Sequence, residues 1–201
     1  MSEAIDDRLP AAMGGAPAFG QTAETNKNFD RWQQITEQEA QVAYDMTLRN
    51  ELSGGTPVVR EFEQRWREWV GTRFAITVIN GTAAIHSAMF GLGVGPGDEV
   101  ITVSHTAVAT VAAIVQAGAV PVLVDIDDTL TLDPKAVEAA ITPKTKCVMP
   151  VHMCGSMADL QALKDICDTH GLLLLEDACQ AIGGTYQGKP LGSYGDLGCF
   201  S

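Results

Sequence analysis

The sequence predicts an α/β fold, a mainly parallel (mixed) sheet with helices on both faces. From residue 74 onward, short apolar runs alternate with amphipathic stretches at helical spacing. The runs are nearly continuous in Val, Ile and Leu, as strands covered on both faces must be. Hydrophobic residues make up 46% of the 201 residues and charged ones 19%, enough for a real core and too apolar for a disordered chain.

The elements follow in order. Residues 1–28 scatter Gly, Ala and Pro without periodicity and are expected to form a flexible arm. Residues 29–201 are read as one large domain. A helix is predicted over 29–52. A second starts with Thr56 as N-cap and Pro57 at its first position, carries Val58, Phe62, Trp66 and Trp69 toward a core, and closes at Gly71. Residues 74–79 read as a strand and 82–92 as a helix burying Ile85, Ala88, Met89 and Leu92. Gly95-Pro96-Gly97-Asp98 is a type II turn. A strand (100–103), a helix (107–117) and a strand (120–124) follow; then a helix begins at Asp133-Pro134, and residues 147–151 form another strand. Ser156 with Asp159 reads as a capping box for a helix ending at Gly171, and 172–175 as a strand buried on both faces. After Asp177 the glycines and the Gln187-Gly188 turn predict loops and hairpins. The chain stops in an apolar stretch at Ser201, which reads as a truncated domain.

Composition narrows the function. A net charge of −12 leaves nothing to neutralise a run of phosphates, so nucleic acid is excluded as a partner. No charge lies between Glu99 and Asp125, yet Gly118 and Pro121 split that stretch into elements too short to span a bilayer, so no membrane association is expected. The first twenty residues hold no apolar block, so no secretory signal is read and a cytoplasmic location is expected. Cys147, Cys154, Cys167, Cys179 and Cys199 are an odd set without C-x-x-C spacing. They read as reduced core residues, and no metal site is expected.

In a parallel sheet, ligands bind at the carboxyl ends of the strands. The residues placed there are Asn80-Gly81-Thr82, Ser104-His105-Thr106, Asp125, His152 and Glu176-Asp177. Small residues opening a helix at Asn80-Gly81-Thr82-Ala83-Ala84 offer bare N–H groups to a phosphate dianion. His105 offers a flat face. Asp177, at the end of an apolar strand, is costly to bury ionised without a cation, and a protonated pyridine nitrogen supplies one. Together these describe a site for pyridoxal 5′-phosphate.

Five motifs in order are similar to the DegT or StrS-like sugar aminotransferases, which have the aspartate aminotransferase fold (fold type I) of pyridoxal phosphate enzymes. They are Asn80-Gly81-Thr82-Ala83-Ala84, Gly95-Pro96-Gly97-Asp98-Glu99-Val100, Ser104-His105-Thr106, Glu176-Asp177-Ala178-Cys179-Gln180-Ala181 and Gly195-Asp196-Leu197-Gly198-Cys199-Phe200-Ser201. The resemblance runs from about Ser53 to Ser201. It implies that Gly81, Thr82, Ala83 and the Ser201 hydroxyl bind the cofactor phosphate and that His105 stacks on the pyridine ring. It implies too that Asp177 pairs with the ring nitrogen and Gln180 with the phenolic oxygen. The Schiff-base lysine of relatives lies a few residues beyond the position of Ser201. None of Lys27, Lys135, Lys144, Lys146, Lys164 or Lys189 matches it, so this chain alone is expected to be inactive. The smaller C-terminal domain of the family is expected to be missing from this chain too. The implied reaction moves an amine from L-glutamate to a nucleotide-linked keto-deoxysugar, in a homodimer whose sites borrow residues from the partner, for surface polysaccharides or glycosylated metabolites. Two alternatives remain open at this point: a sugar dehydratase of the same family using the same cofactor, and a non-catalytic fragment.

Overall fold

A computed structural model describes residues 35–201; the predicted arm and the first part of the predicted 29–52 helix lie outside the described residues. The chain divides into two units at Leu52/Ser53, each described by itself. In the first, helix α1 (Glu37–Leu48) starts at a capping box. Thr36 Oγ1 accepts the Glu39 N–H at 3.2 Å, and a Glu39 carboxylate oxygen accepts the Thr36 N–H at 2.7 Å. None of its residues is buried.

The second unit carries α2 (Pro57–Val70), α3 (Gly81–Gly91), β1 (Glu99–Val103), α4 (Val108–Gln116), β2 (Val120–Val124), α5 (Pro134–Ala140), β3 (Thr145–Met149), α6 (Leu160–His170), β4 (Leu173–Asp177), β5 (Thr185–Tyr186), β6 (Lys189–Pro190) and β7 (Leu197–Cys199). The main sheet runs β2-β1-β3-β4-β7 with every pair parallel; β5 and β6 form a separate antiparallel hairpin. Side chains alternate across the sheet. Val100, Cys147, Met149 and Leu175 meet Ile85, Met89, Ala113 and Ile114 of α3 and α4 on one face. Ile101, Val103, Val148 and Leu174 meet Val137, Leu163 and Cys167 of α5 and α6 on the other. Both faces of β1, β3 and β4 are covered, which is why these strands read as unbroken apolar runs; the edge strand β2 has no buried residue. The order reverses between β1 and β3, opening a crevice at their carboxyl ends.

Several predicted elements differ. Residues 74–79 form no strand. Among the described residues no strand pairs with them; instead the Glu63 carboxylate accepts both the N–H and the hydroxyl of Thr77 at 2.8 Å, and Phe74, Ile76 and Ile79 are 67%, 82% and 90% exposed. Of α2 only Val70 is buried: the Phe62 and Trp66 side chains line an open groove instead of a core, and Trp69 is 46% exposed. Thr56 sits at the N-cap of α2 but makes no side-chain cap bond, and its buried hydroxyl has no partner among the described residues. Ser156 does not cap α6: its hydroxyl donates to the Thr129 carbonyl at 2.7 Å, and Asp159 accepts the Ala162 N–H at 3.2 Å in its place. The predicted loop near 197–199 is a sheet strand, short enough to escape periodicity. The Gly95–Asp98 turn is as expected, with Gly97 at φ 94° and the Asp98 N–H donating to the Gly95 carbonyl at 3.1 Å.

Candidate cofactor site

A cavity of about 190 Å³ opens where the first turn of α3, the start of α4 and the segments after β3, β4 and β7 converge. Gly81, Thr82, Thr106, Asp177, Gln180 and Ser201 all line it, from four separate stretches of chain. A larger cavity of about 680 Å³ lies against Trp66, Phe74 and Leu197; it shares Asn80 and Ser201 but lacks Asp177 and Gln180. The chemistry belongs to the smaller one.

At its floor Asn80 caps α3, its side-chain oxygen accepting the Ala83 N–H at 2.8 Å. That leaves the Gly81 and Thr82 N–H groups at the positive end of an eleven-residue helix without helical acceptors. The backbone here must be bare: a Cβ on Gly81 would lie 2.8 Å from Cys179 Sγ and 2.9 Å from Ser201 Cβ. Ser201 therefore stands directly against the first turn of α3.

Asp177 ends β4 and is 4% exposed. Its Oδ2 accepts the Thr110 hydroxyl at 2.8 Å and its Oδ1 the Cys179 N–H at 3.2 Å. Thr110 spends its proton on Asp177, so Thr106, 2.7 Å away, donates to Thr110. Among the described residues no Lys, Arg or His lies within ion-pair distance of Asp177. A carboxylate buried this far with no cation is incomplete. Gln180 is also pre-set: its side-chain oxygen accepts the Cys154 N–H at 3.0 Å, which leaves its NH₂ free to donate into the cleft. Burial pushes the neighbouring thiols up, Cys199 to about 12 and Cys179 likewise above its ordinary value.

The remaining residues singled out from sequence fall elsewhere. Ala83 gives its N–H to Asn80 and does not line the cavity. His105 is exposed, its Nδ1 3.2 Å from the Leu130 carbonyl oxygen, and the cavity wall next to it is Thr106 and Ala107. Asp125 is exposed, its carboxylate accepting the Ile126 N–H at 2.8 Å. His152 is fully buried and faces Glu176 at 3.2 Å, away from the cleft. Sequence reading missed Thr110, whose signal was a polar residue on the buried face of an apolar helix. Among the described residues no lysine lines the cavity. Among the described residues no cluster of three metal-ligating side chains occurs, and no helix is long and apolar enough to cross a membrane.

The parts present fit pyridoxal phosphate: bare N–H groups and a hydroxyl for the phosphate, a buried carboxylate lacking a cation, and an amide donor beside it. Comparison with known proteins agrees. A GDP-perosamine synthase of Caulobacter vibrioides is 46% identical over 142 residues, which are 70% of this chain and 38% of that protein. The structure of a putative sugar aminotransferase of Streptococcus pneumoniae in its pyridoxal phosphate form superposes with TM-score 0.77 at 33% identity, covering 84% of this chain and 47% of the other. A GDP-4-keto-6-deoxymannose-3-dehydratase solved with GDP-perosamine superposes with TM-score 0.67 at 28% identity, covering 71% and 39%. The chain thus spans less than half the length of these relatives, and the cofactor of the fold is pyridoxal 5′-phosphate. The sequence profile of the DegT/DnrJ/EryC1/StrS aminotransferase family matches residues 33–201, and the chain belongs to that family.

Proposed function

We propose that the protein is a pyridoxal phosphate-dependent aminotransferase that converts a nucleotide-linked keto-deoxysugar to an amino sugar, with L-glutamate as donor, in the cytoplasm and as a homodimer. The observation that carries this is Asp177, a buried carboxylate without a cation, opening into the same small cavity as the Gly81 turn and Ser201. The first-turn N–H groups of Gly81 and Thr82 and the Ser201 hydroxyl hold the phosphate. Asp177, fixed by Thr110, holds a proton on the ring nitrogen. Gln180 donates to the phenolic oxygen, its orientation set by Cys154 N–H. When bound, the cofactor supplies an electron sink for a carbanion at the amine-bearing carbon. The lysine that anchors it is proposed to lie beyond Ser201.

The test is Asp177→Asn in the protein at its natural length. The amide no longer favours a protonated ring, so turnover should fall at least about a hundredfold while much of the cofactor binding is kept. Undiminished turnover would refute the assignment. The dehydratase among the structural neighbours favours a second reading, removal of a sugar hydroxyl with the same cofactor. Glutamate-dependent release of 2-oxoglutarate with an amino sugar as product supports transamination; a deoxygenated sugar lacking nitrogen supports dehydration.

A further inference from the structure

Glu176 precedes Asp177 on β4 and takes no part in the cleft. It is 0% exposed. Its Oε1 accepts the N–H groups of Tyr194 at 2.6 Å and Gly195 at 2.8 Å; its Oε2 accepts that of Gly192 at 2.8 Å and faces His152 Nε2 at 3.2 Å. The other imidazole nitrogen, Nδ1, accepts the Ala158 N–H at 3.4 Å and so carries no proton. His152 is therefore the Nε2–H tautomer and donates to Glu176. Four donors and no acceptor converge on two oxygens, an arrangement that requires the ionised carboxylate.

Three of those donors belong to one loop, residues 192–195. Its exit is pinned as well: the Asp196 N–H donates to the Leu174 carbonyl at 2.7 Å, and the Asp196 carboxylate accepts the Leu174 N–H at 2.9 Å. The loop feeds straight into β7, whose register sets Gly198 opposite Glu176 and Cys199 opposite Asp177. Two residues on stands Ser201, packed against Gly81.

We infer that Glu176 is a positioning residue for the phosphate seat. Its carboxylate fixes the 192–195 loop, the loop fixes the register of β7, and β7 brings the Ser201 hydroxyl level with the Gly81 and Thr82 N–H groups. The inference rests on the cofactor reading above. Without the carboxylate, three loop N–H groups lose their acceptor, and the strand that carries Ser201 is free to shift relative to α3.

The experiment measures dissociation constants of the full chain for pyridoxal 5′-phosphate and for pyridoxal, which lacks the phosphate, by equilibrium dialysis. Their ratio isolates the phosphate seat. Ser201→Ala should raise the ratio of the pyridoxal 5′-phosphate constant to the pyridoxal constant about tenfold, Glu176→Gln by a similar factor, and the double variant no further than either one; pyridoxal binding should change less than about twofold throughout. Losses that multiply in the double variant, or a ratio that Glu176→Gln leaves unchanged, overturn the role of Glu176 alone. An unsubstituted chain that binds both aldehydes equally overturns the cofactor reading itself. Should Glu176→Gln fail to fold, hydrogen exchange on the unsubstituted chain decides. Inorganic phosphate should slow the amides of Gly192, Tyr194 and Gly195 together with those of Gly81 and Thr82, and slowing confined to Gly81 and Thr82 overturns the coupling.

Discussion

Two carboxylates stand side by side at the end of β4, and their surroundings are opposite. Glu176 receives four hydrogen bonds from its own chain, three of them from backbone N–H groups. Asp177 receives two side-chain-directed bonds, from Thr110 and Cys179, and opens into a cavity. A buried acid whose lone pairs are already filled organises structure; one left with capacity and no cation is kept for something that comes from outside. Strand alternation makes the division possible, because neighbouring residues face different sides of the sheet.

The comparison can be broken by substitution, and the effects should descend in size. Glu176→Gln places an NH₂ among N–H donors and should cost about 3 kcal/mol of stability, read from urea unfolding of the chain. A loss below about 1 kcal/mol would show that the four bonds contribute little. Gly195→Ala puts a methyl group onto the Leu174 carbonyl and should cost about 2–3 kcal/mol by the same measurement; a neutral result means the loop can move away from β4, against the anchoring described. On the other side of the pair, Thr110→Val removes a hydroxyl from Asp177 and should cost about 1–2 kcal/mol. An increase in stability there would mean that Asp177 does not depend on Thr110.

A third acid gives a control at the opposite end of the sheet. The Gly95 N–H, at 2.9 Å, and the Lys146 ammonium hold the Asp98 carboxyl below its ordinary range. A carboxyl lowered by folding stabilises the fold above its unfolded-state value and loses that contribution as pH falls through the folded one. Asp98→Asn should thus cost about 1 kcal/mol at pH 7, with the gap to the parent closing as pH falls below about 4. A gap that stays constant down to pH 3 contradicts it. The smallest effect belongs to Asp177→Asn. Removing an unpaired buried charge should leave the cofactor-free chain unchanged or up to about 1 kcal/mol more stable. Marked destabilisation would mean that Asp177 is a structural acid like its neighbour.

Much of this was legible in the sequence. The apolar runs around Val100, Val148 and Leu174 identify strands because both sheet faces are covered there, and Asn80-Gly81-Thr82 announces a helix start bare of side chains. Asp177 stands out as an acid ending such a run. Residues 74–79 have the same apolar look, yet a strand also needs a neighbour to take its N–H and C=O groups, and none is present among the described residues. His105 has the flat face a ring needs, but the turn before α4 sends it to the Leu130 carbonyl and leaves Thr106 and Ala107 at the cavity.

The sequence by itself determined most of the strands and helices, since local periodicity reports the side on which each is buried, but not the failure of residues 74–79 to pair or the strand at Leu197–Cys199. It also determined the kinds of group available to a ligand. Only the tertiary structure decided that Thr110 and Ser201 reach the same cavity as Asp177, and that Glu176, one residue away, is spent on the chain's own backbone. Such convergence depends on strand register and on contacts between residues far apart in the chain, which no local pattern of residues encodes.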